Sequence, residues 1–290
     1  MFRYLSPFFI TLLFLQAADA PPKPVDQMLA FKISLTQQEM GYADLLDDSG
    51  KVGYRQRKIT AGNTLLNLSY TNWQFMWQGM ENSTFASGET RPIKEVHALN
   101  LSMRMPVVTE TGQMVMTMLI LNSVYEVEQS RSYGATGVIY RTNKKSDDVI
   151  TTLGGIIYYH PVRTIILPIA SYNYRMRARD GWKASVGFPT NYIGYHPSEK
   201  WMWLANISFN TATVRLREES PISPGGYLSL SDYLGGLGFR YFHNDCITLN
   251  ASLNMTLYRD LLTYDSDGNE LDGHPLQGSY GAQFSLEYIF

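Results

Sequence analysis

The sequence predicts an all-β chain closed into a single antiparallel transmembrane β-barrel of about twelve strands, with ten or fourteen as the alternative counts. Three observations lead there. Residues 276–290 alternate strictly, with Gly278, Tyr280, Ala282, Phe284, Leu286, Tyr288 and Phe290 on one face and Gln277, Ser279, Gly281, Gln283, Ser285, Glu287 and Ile289 on the other, the period of two that marks a strand. The polar faces of such segments are mostly uncharged, as in Thr248, Asn250, Ser252 and Asn254 between Leu249, Ala251, Leu253 and Met255. Most candidate strands also run past the five or six residues usual in a globular sheet, to the roughly 9 to 11 that cross a bilayer at a tilt. A soluble sandwich alternates too, but its apolar face is buried in one core and its polar face is wet.

Composition narrows the class. Charged residues make up 17% of the 290, while aromatics reach 13% with 20 Tyr, side chains suited to a membrane interface. A net charge of −2 and a pI near 6.2 supply no basic field for nucleic acid. The single cysteine, Cys246, excludes an internal disulfide and reads as a small buried residue. After residue 20 no stretch is long and apolar enough for a membrane helix, so any crossing is made by strands.

In chain order, Met1 to Ala20 has a basic start, an apolar run from Leu5 to Leu15 and small residues at Ala17, Ala18 and Ala20, the pattern of a secretory signal peptide cleaved near 17–20. Residues 21–28, with three prolines, read as an extended periplasmic lead-in, and 29–290 as the barrel. A first strand carries Leu29, Phe31, Ile33 and Leu35; Gly41 to Asn63 reads as a long polar loop; a second strand carries Leu66, Leu68 and Tyr70 and ends in Trp73, Phe75 and Trp77. Strands follow at 98–105, at 114–125, which is apolar on both faces, and at 133–141. Hairpins then succeed one another: Val149 to Tyr159, Thr164 to Arg177, Trp182 to Tyr195, a strand from Trp201 to Asn210, one through Leu237 to Tyr241, and the clean alternation from Ile247 to Tyr258. Counted back from the last strand, Asp260 to Pro275 and Glu218 to Gly226 fall outside as long loops, and His243 to Asp245 and His196 to Lys200 fall on the periplasmic side as short turns. The same alternation places the long segment Gln78 to Lys94 on the periplasmic side, where short turns are expected.

Two resemblances add to this reading. The alternating aromatic strand ending in Tyr280, Phe284, Leu286, Tyr288 and Phe290 resembles the terminal strand of bacterial outer-membrane barrels, which implies that these residues are read as a signal by the barrel-assembly machinery. The stretch from Leu153 to Phe209, through Gly154-Gly155, Leu167-Pro168, Gly187-Phe188-Pro189, Tyr192-Ile-Gly-Tyr195 and Glu199-Lys-Trp201, resembles a family of uncharacterised outer-membrane barrels of Gram-negative bacteria. That resemblance implies fold and location, and carries no catalytic residues.

Three features bear on chemistry. His196-Pro197-Ser198 has the spacing of a barrel lipid hydrolase, but Pro197 sits between the pair and no Asn-Gly follows, so a turn is favoured. Asp265, Asp267, Asn269 and Asp272 are dense in oxygen ligands, yet Gly268 stands at the fourth position of the run where an EF-hand needs its glycine at the sixth, so these are weak cation candidates. If polar faces point inward, Arg104, Arg175, Arg177, Lys183, Asp232, Arg240, Asn250, Asn254 and Glu287 line the lumen, where charge sets ion preference. The expected function is a porin-like channel for passive passage of small solutes, without a cofactor. Its rival is a non-conducting barrel acting through its outer loops, and the lipid hydrolase comes third. The expected partners are outer-membrane lipid, lipopolysaccharide, the assembly machinery and small solutes, with no nucleic acid.

Overall fold

The structure, a computed structural model, describes residues 29–290 except 47, 109–113, 128, 176–178 and 189. The expected signal peptide, the lead-in 21–28 and the turn Thr109 to Gly112 lie outside the described residues. The strands are β1 (Lys32–Asp44), β2 (Lys51–Gly62), β3 (Leu66–Gln78), β4 (Glu95–Val108), β5 (Met114–Tyr125), β6 (Tyr133–Lys144), β7 (Val149–His160), β8 (Arg163–Tyr174), β9 (Gly181–Phe188), β10 (Thr190–Ser198), β11 (Trp201–Arg215), β12 (Tyr227–Phe242), β13 (Ile247–Tyr264), β14 (Glu270–Leu276) and β15 (Tyr280–Ile289), with one 3₁₀ turn at Met80–Asn82.

Every strand from β1 to β13 pairs antiparallel with its sequence neighbours, β13 pairs β15, and β15 pairs β1, so the sheet closes on itself. Strand β14 lies along the far half of β13 (Arg259 to Tyr264) and β15 along its near half (Ile247 to Met255). The two therefore form one rail of the wall interrupted at residues 277–279. Across that break the Gln277 N–H donates to the Asp44 carbonyl at 2.9 Å and Leu276 bridges Leu45. The barrel thus has 14 wall strands, the upper of the three expected counts. We call the end where β1 begins and β15 ends proximal, and the opposite end distal.

The strand count of twelve fails at two places, each for a physical reason. Lys51 to Gly62, expected as loop, is a full wall strand whose outward residues include Arg55 and Arg57; the charges erase the apolar alternation that reveals its neighbours. Arg55 is held by Glu39 of β1 at 2.8 Å. The strand reverses at Gly62, which has φ +145 and whose β-carbon would come within 2.2 Å of the Leu66 carbonyl, and at Asn63, whose side-chain oxygen accepts the N–H groups of Leu65 (2.9 Å) and Leu66 (2.8 Å). Trp182 to Tyr195, expected as one strand, is the pair β9 and β10. Counted back from the last strand, the split into β9 and β10 moves Gln78 to Lys94 to the distal end, with the other long connections, and removes the conflict noted above, while β2 keeps the strand number even. The expected loop Asp260 to Pro275 is mostly wall strand, the distal part of β13 and β14 paired with it.

Alternation sorts the faces. Outward positions hold Leu68, Ile139, Leu153, Ile157, Ile166, Val186, Ile193, Leu237 and Leu253, all exposed. Near the proximal end they turn aromatic: Tyr172, Tyr174, Trp182, Tyr195, Trp201, Trp203, Tyr241 and Phe290. An apolar belt with an aromatic girdle is the exterior a bilayer requires.

The distal half is built differently. Strands β9 and β10 have only 8 and 9 residues against 15 to 18 in β11, β12 and β13. Above the short strands, β11 leaves its neighbour and joins β5 in a parallel contact, Arg215 opposite Tyr125, with the Glu126 N–H donating to the Arg215 carbonyl at 3.0 Å. The distal barrel is thereby narrowed to β1–β5 and β11–β14. Its interior is dry: Ala43, Leu45, Val52, Val96, Val124, Val214, Leu228, Leu261 and Leu276 pack with Phe85 and Ile93 from the 79–94 connection, under Trp73, Phe75 and Trp77.

The two faces predict opposite responses to charge. Leu253 is 71% exposed on the outer wall, whereas its neighbour Ser252 lines the interior. Leu253→Lys is expected to destabilise the folded barrel by about 2–4 kcal/mol if it sits near the bilayer midplane, and Ser252→Lys far less. Denaturant titration of the chain refolded into lipid vesicles measures both.

Candidate functional site

Below the dry distal core lies a cavity of about 1050 Å³. It is polar because every second residue of the wall strands is. Thr36 and Gln38 come from β1, Gln56 and Lys58 from β2, Asn100 from β4, Asn122 from β5, Asn206, Ser208 and Asn210 from β11, and Asn250, Ser252 and Asn254 from β13. Buried amide atoms of Gln38, Asn122 and Asn254 have no protein partner among the described residues, which suits a hydrated interior, since burying such groups dry is costly.

The charges divide unevenly. Lys58, Lys183 and Arg240 face the cavity; Arg240 donates to Asn250, whose amide donates to Ser285 at 2.9 Å. Asp232 also reaches it, but its carboxylate is held by Arg259, Nε to Oδ1 at 2.6 Å, and the guanidinium lies over the Tyr54 ring at 5.1 Å. Arg259 is 2% exposed. This pair and the adjoining Met40, Tyr54 and Leu234 form the floor of the dry core. Glu287 points inward at the proximal end and meets Lys32 at 3.8 Å. The cations of the cavity therefore outnumber the acids available to them, as Arg104, inward on β4 near the proximal end, reinforces.

Of the expected lumen residues, Arg104, Lys183, Asp232, Arg240, Asn250, Asn254 and Glu287 take inward positions. Arg175 does not: it stands in the proximal turn after β8, with φ 48, bound to Asp180 at 2.9 Å and Asp148 at 3.7 Å. The strand ends one residue before it, so alternation no longer applies there. Arg177 lies outside the described residues. Sequence reasoning missed Lys58, hidden with its strand, and Arg259, which falls just past the end of the expected 247–258 strand and whose pairing with Asp232 needs the β12–β13 register.

Other candidates are placed as follows. Asp265 turns β13 into β14; its carboxylate accepts the N–H groups of Asp267 and Asn269 and the Asn269 side-chain amide at 2.8–2.9 Å, and these bonds hold it below the ordinary carboxylate range. Its oxygens are thus engaged within the turn, and Asp272 sits on β14 beside His274 at 3.6 Å. Among the described residues no three His, Cys, Asp or Glu gather as metal ligands. His196 is buried in β10 against Phe242, ring centroids 6.0 Å apart, and Ser198 ends the same strand at the proximal end. Tyr280, Phe284, Leu286 and Tyr288 lie on one face of β15, and Phe290 continues that face, its N–H donating to the Phe31 carbonyl at 2.9 Å.

The distal connection is pinned by one carboxylate. Asp48, between β1 and β2, accepts the N–H groups of Phe85 (2.6 Å) and Thr84 (3.1 Å) and the hydroxyls of Ser83 (2.8 Å) and Thr84 (3.1 Å). Partial burial would raise its pKa, but these donors prevail and lower it to about 2. Phe85 is thus delivered into the core, against Trp77 at 5.9 Å and His274 at 4.8 Å.

No family model matches the chain, and no curated relative matches it. Solved structures that resemble it include an outer-membrane channel from Pseudomonas putida F1, 7% identical, covering 94% of this chain and 98% of that one with a TM-score of 0.43. The NanC porin is 5% identical, covering 89% of this chain and 100% of its own, TM-score 0.41. The outer-membrane protease OmpT of Escherichia coli is 8% identical over 90% and 97%, TM-score 0.27.

The Asp48 anchor makes a definite prediction. Because its folded pKa lies below the unfolded value of about 3.9, its contribution is complete above that value and is lost as the pH falls through about 2. At neutral pH, Asp48→Asn is expected to weaken docking of the 79–94 connection by about 1.5–3 kcal/mol, the worth of hydrogen bonds to a charged acceptor. Hydrogen exchange at Thr84 and Phe85 is then about ten- to a hundredfold faster.

Proposed function

We propose that the chain is a passive channel of the bacterial outer membrane for small polar solutes, with its proximal end in the periplasm and an interior that favours anions. The observation that carries this reading is the interior itself: a polar cavity with Lys58, Lys183 and Arg240 on its walls, while the cavity carboxylate Asp232 is consumed by Arg259. A barrel serving only as an outer scaffold needs no such hydrated, charge-biased interior. The apolar belt and proximal aromatic girdle support the membrane setting, lipid and lipopolysaccharide are the surrounding partners, and the outward Tyr280, Phe284, Leu286, Tyr288 and Phe290 are the proposed assembly signal.

A second reading has its own observation. The dry distal core stands across the barrel axis, as expected of a barrel that does not conduct and acts through its distal connections. The two readings part in a planar bilayer. A channel gives stepwise openings with a reversal potential on the anion side, and each of Lys58→Gln, Lys183→Gln and Arg240→Gln lowers the anion-to-cation permeability ratio by up to about fivefold, the effect of ~1 kcal/mol for a unit charge some 4 Å away in water. A folded barrel that stays silent, or one that prefers cations, overturns the proposal.

A further inference from the structure

With the axis blocked distally, solutes in the cavity need another way out, and the wall has one irregular place. Along β11 the outward positions are Trp203, Ala205, Ile207 and Phe209 and then, without a break in register, Thr211, Thr213 and Arg215. The last three, at the distal end, are on the outer wall, yet Thr213 is 1% and Arg215 3% exposed. What covers them is the tip of the β7–β8 hairpin. The Tyr158 hydroxyl meets Thr213 at 3.5 Å, Arg163 donates to Thr211 at 2.7 Å, and His160 packs edge-on against Tyr227 of β12 at 5.4 Å. Among the described residues no ladder hydrogen bonds join this hairpin to β11 or β12. Two sheet surfaces meet through side chains alone, which makes a seam.

The seam is electropositive and its donors are underused. Among the described residues, Nε of Arg163, Nε and Nη1 of Arg215, Nε2 of His160 and Oγ of Ser229 are buried without a hydrogen-bond partner. Arg215 has one acid, Glu218, on its Nη2 at 2.6 Å, and its guanidinium lies over the Tyr227 ring at 5.1 Å. Buried guanidinium N–H groups left unmatched are expensive, and the ligand that matches their planar fork is an oxyanion. The seam adjoins the cavity, because Tyr158 and Thr211 belong to both.

We propose that the seam between the β7–β8 hairpin and the distal parts of β11 and β12 is the outer exit of the cavity and a seat for a small oxyanion, a carboxylate or phosphate group, held by Arg163 and Arg215. This rests on the channel reading and names its solute class. Cations along the cavity then form a graded path from Arg104 and Lys58 to Arg163. The moving part is the β8 side of the hairpin tip, which β9 pairs only from Ala170 onward and which meets β11 and β12 through side chains.

The test uses the full chain refolded in vesicles, carrying Cys246→Ser and Thr211→Cys, treated from the distal side with the anionic sulfonatoethyl or the cationic trimethylammonioethyl methanethiosulfonate and read by mass. Labelling from the distal side, faster by about tenfold or more for the anionic reagent, is expected, in the range that a charged, walled cleft adds to an encounter rate. Adding Arg163→Gln is expected to abolish the preference while distal labelling persists. Ser231→Cys, whose native hydroxyl lies 3.3 Å from that of Thr211, repeats the measurement should Thr211→Cys fold poorly. Labelling only from the proximal side, or distal labelling without charge preference, overturns the proposal. Because the readout is mass rather than current, that failure is distinct from a silent bilayer, which counts against the channel itself.

Discussion

Hydrocarbon offers no partner to a peptide N–H or C=O, and a wall strand must therefore find both of its partners inside the wall. That constraint explains the strand least like the others. β2 carries Arg55 and Arg57 outward, a poor choice for a lipid face, but without it β1 and β3 would each present an open edge. Glu39 offsets part of the cost by pairing with Arg55. The same constraint governs the closing rail: β13 outlasts β15, so β14 supplies the second partner of its distal half, and the break at residues 277–279 is spanned from β1. Closure comes first, and side-chain chemistry is fitted around it.

Much of the architecture was legible because lipid and water impose a period of two. Where a strand faces lipid on one side and the cavity on the other, as β13 does through Leu249, Leu253 and Met255 against Asn250, Ser252 and Asn254, its fate is visible in the residues. Where the surroundings change along a strand, the signal changes too. β2 hides behind its charges, and β14 behind the acidic turn at Asp265. β9 and β10 fuse because each is short and similarly patterned.

The candidate site was legible by face and illegible by pairing. Alternation assigns Lys183, Arg240 and Asp232 to inward positions, yet it cannot tell that Asp232 is spent on Arg259 while the lysines border the cavity. That distinction decides the sign of the interior and depends on the Asp232 to Arg259 register across the β12–β13 bulge at Tyr233 and Leu234. Arg175 shows the converse error, since a residue one step beyond a strand no longer obeys the strand's period.

The distal half sets two kinds of closure side by side. Across the axis, the closure is a dry core of aliphatic and aromatic side chains anchored through Asp48; opening it would expose that apolar surface to water, at about 25 cal/mol for each Å². At the side, the closure between the β7–β8 hairpin and β11 includes the hydrogen bonds Tyr158 to Thr213 and Arg163 to Thr211, each worth about 0.5–1.5 kcal/mol net, over guanidinium N–H groups, Nε of Arg163 and Nε and Nη1 of Arg215, that lack partners among the described residues. Exposing those groups to water relieves a penalty instead of adding one. Of the two, only the seam holds polar groups that gain from meeting water, and the shortness of β9 and β10 leaves room beside it. A wall that ends early on one side and an apolar plug on the other direct a polar solute to the same place.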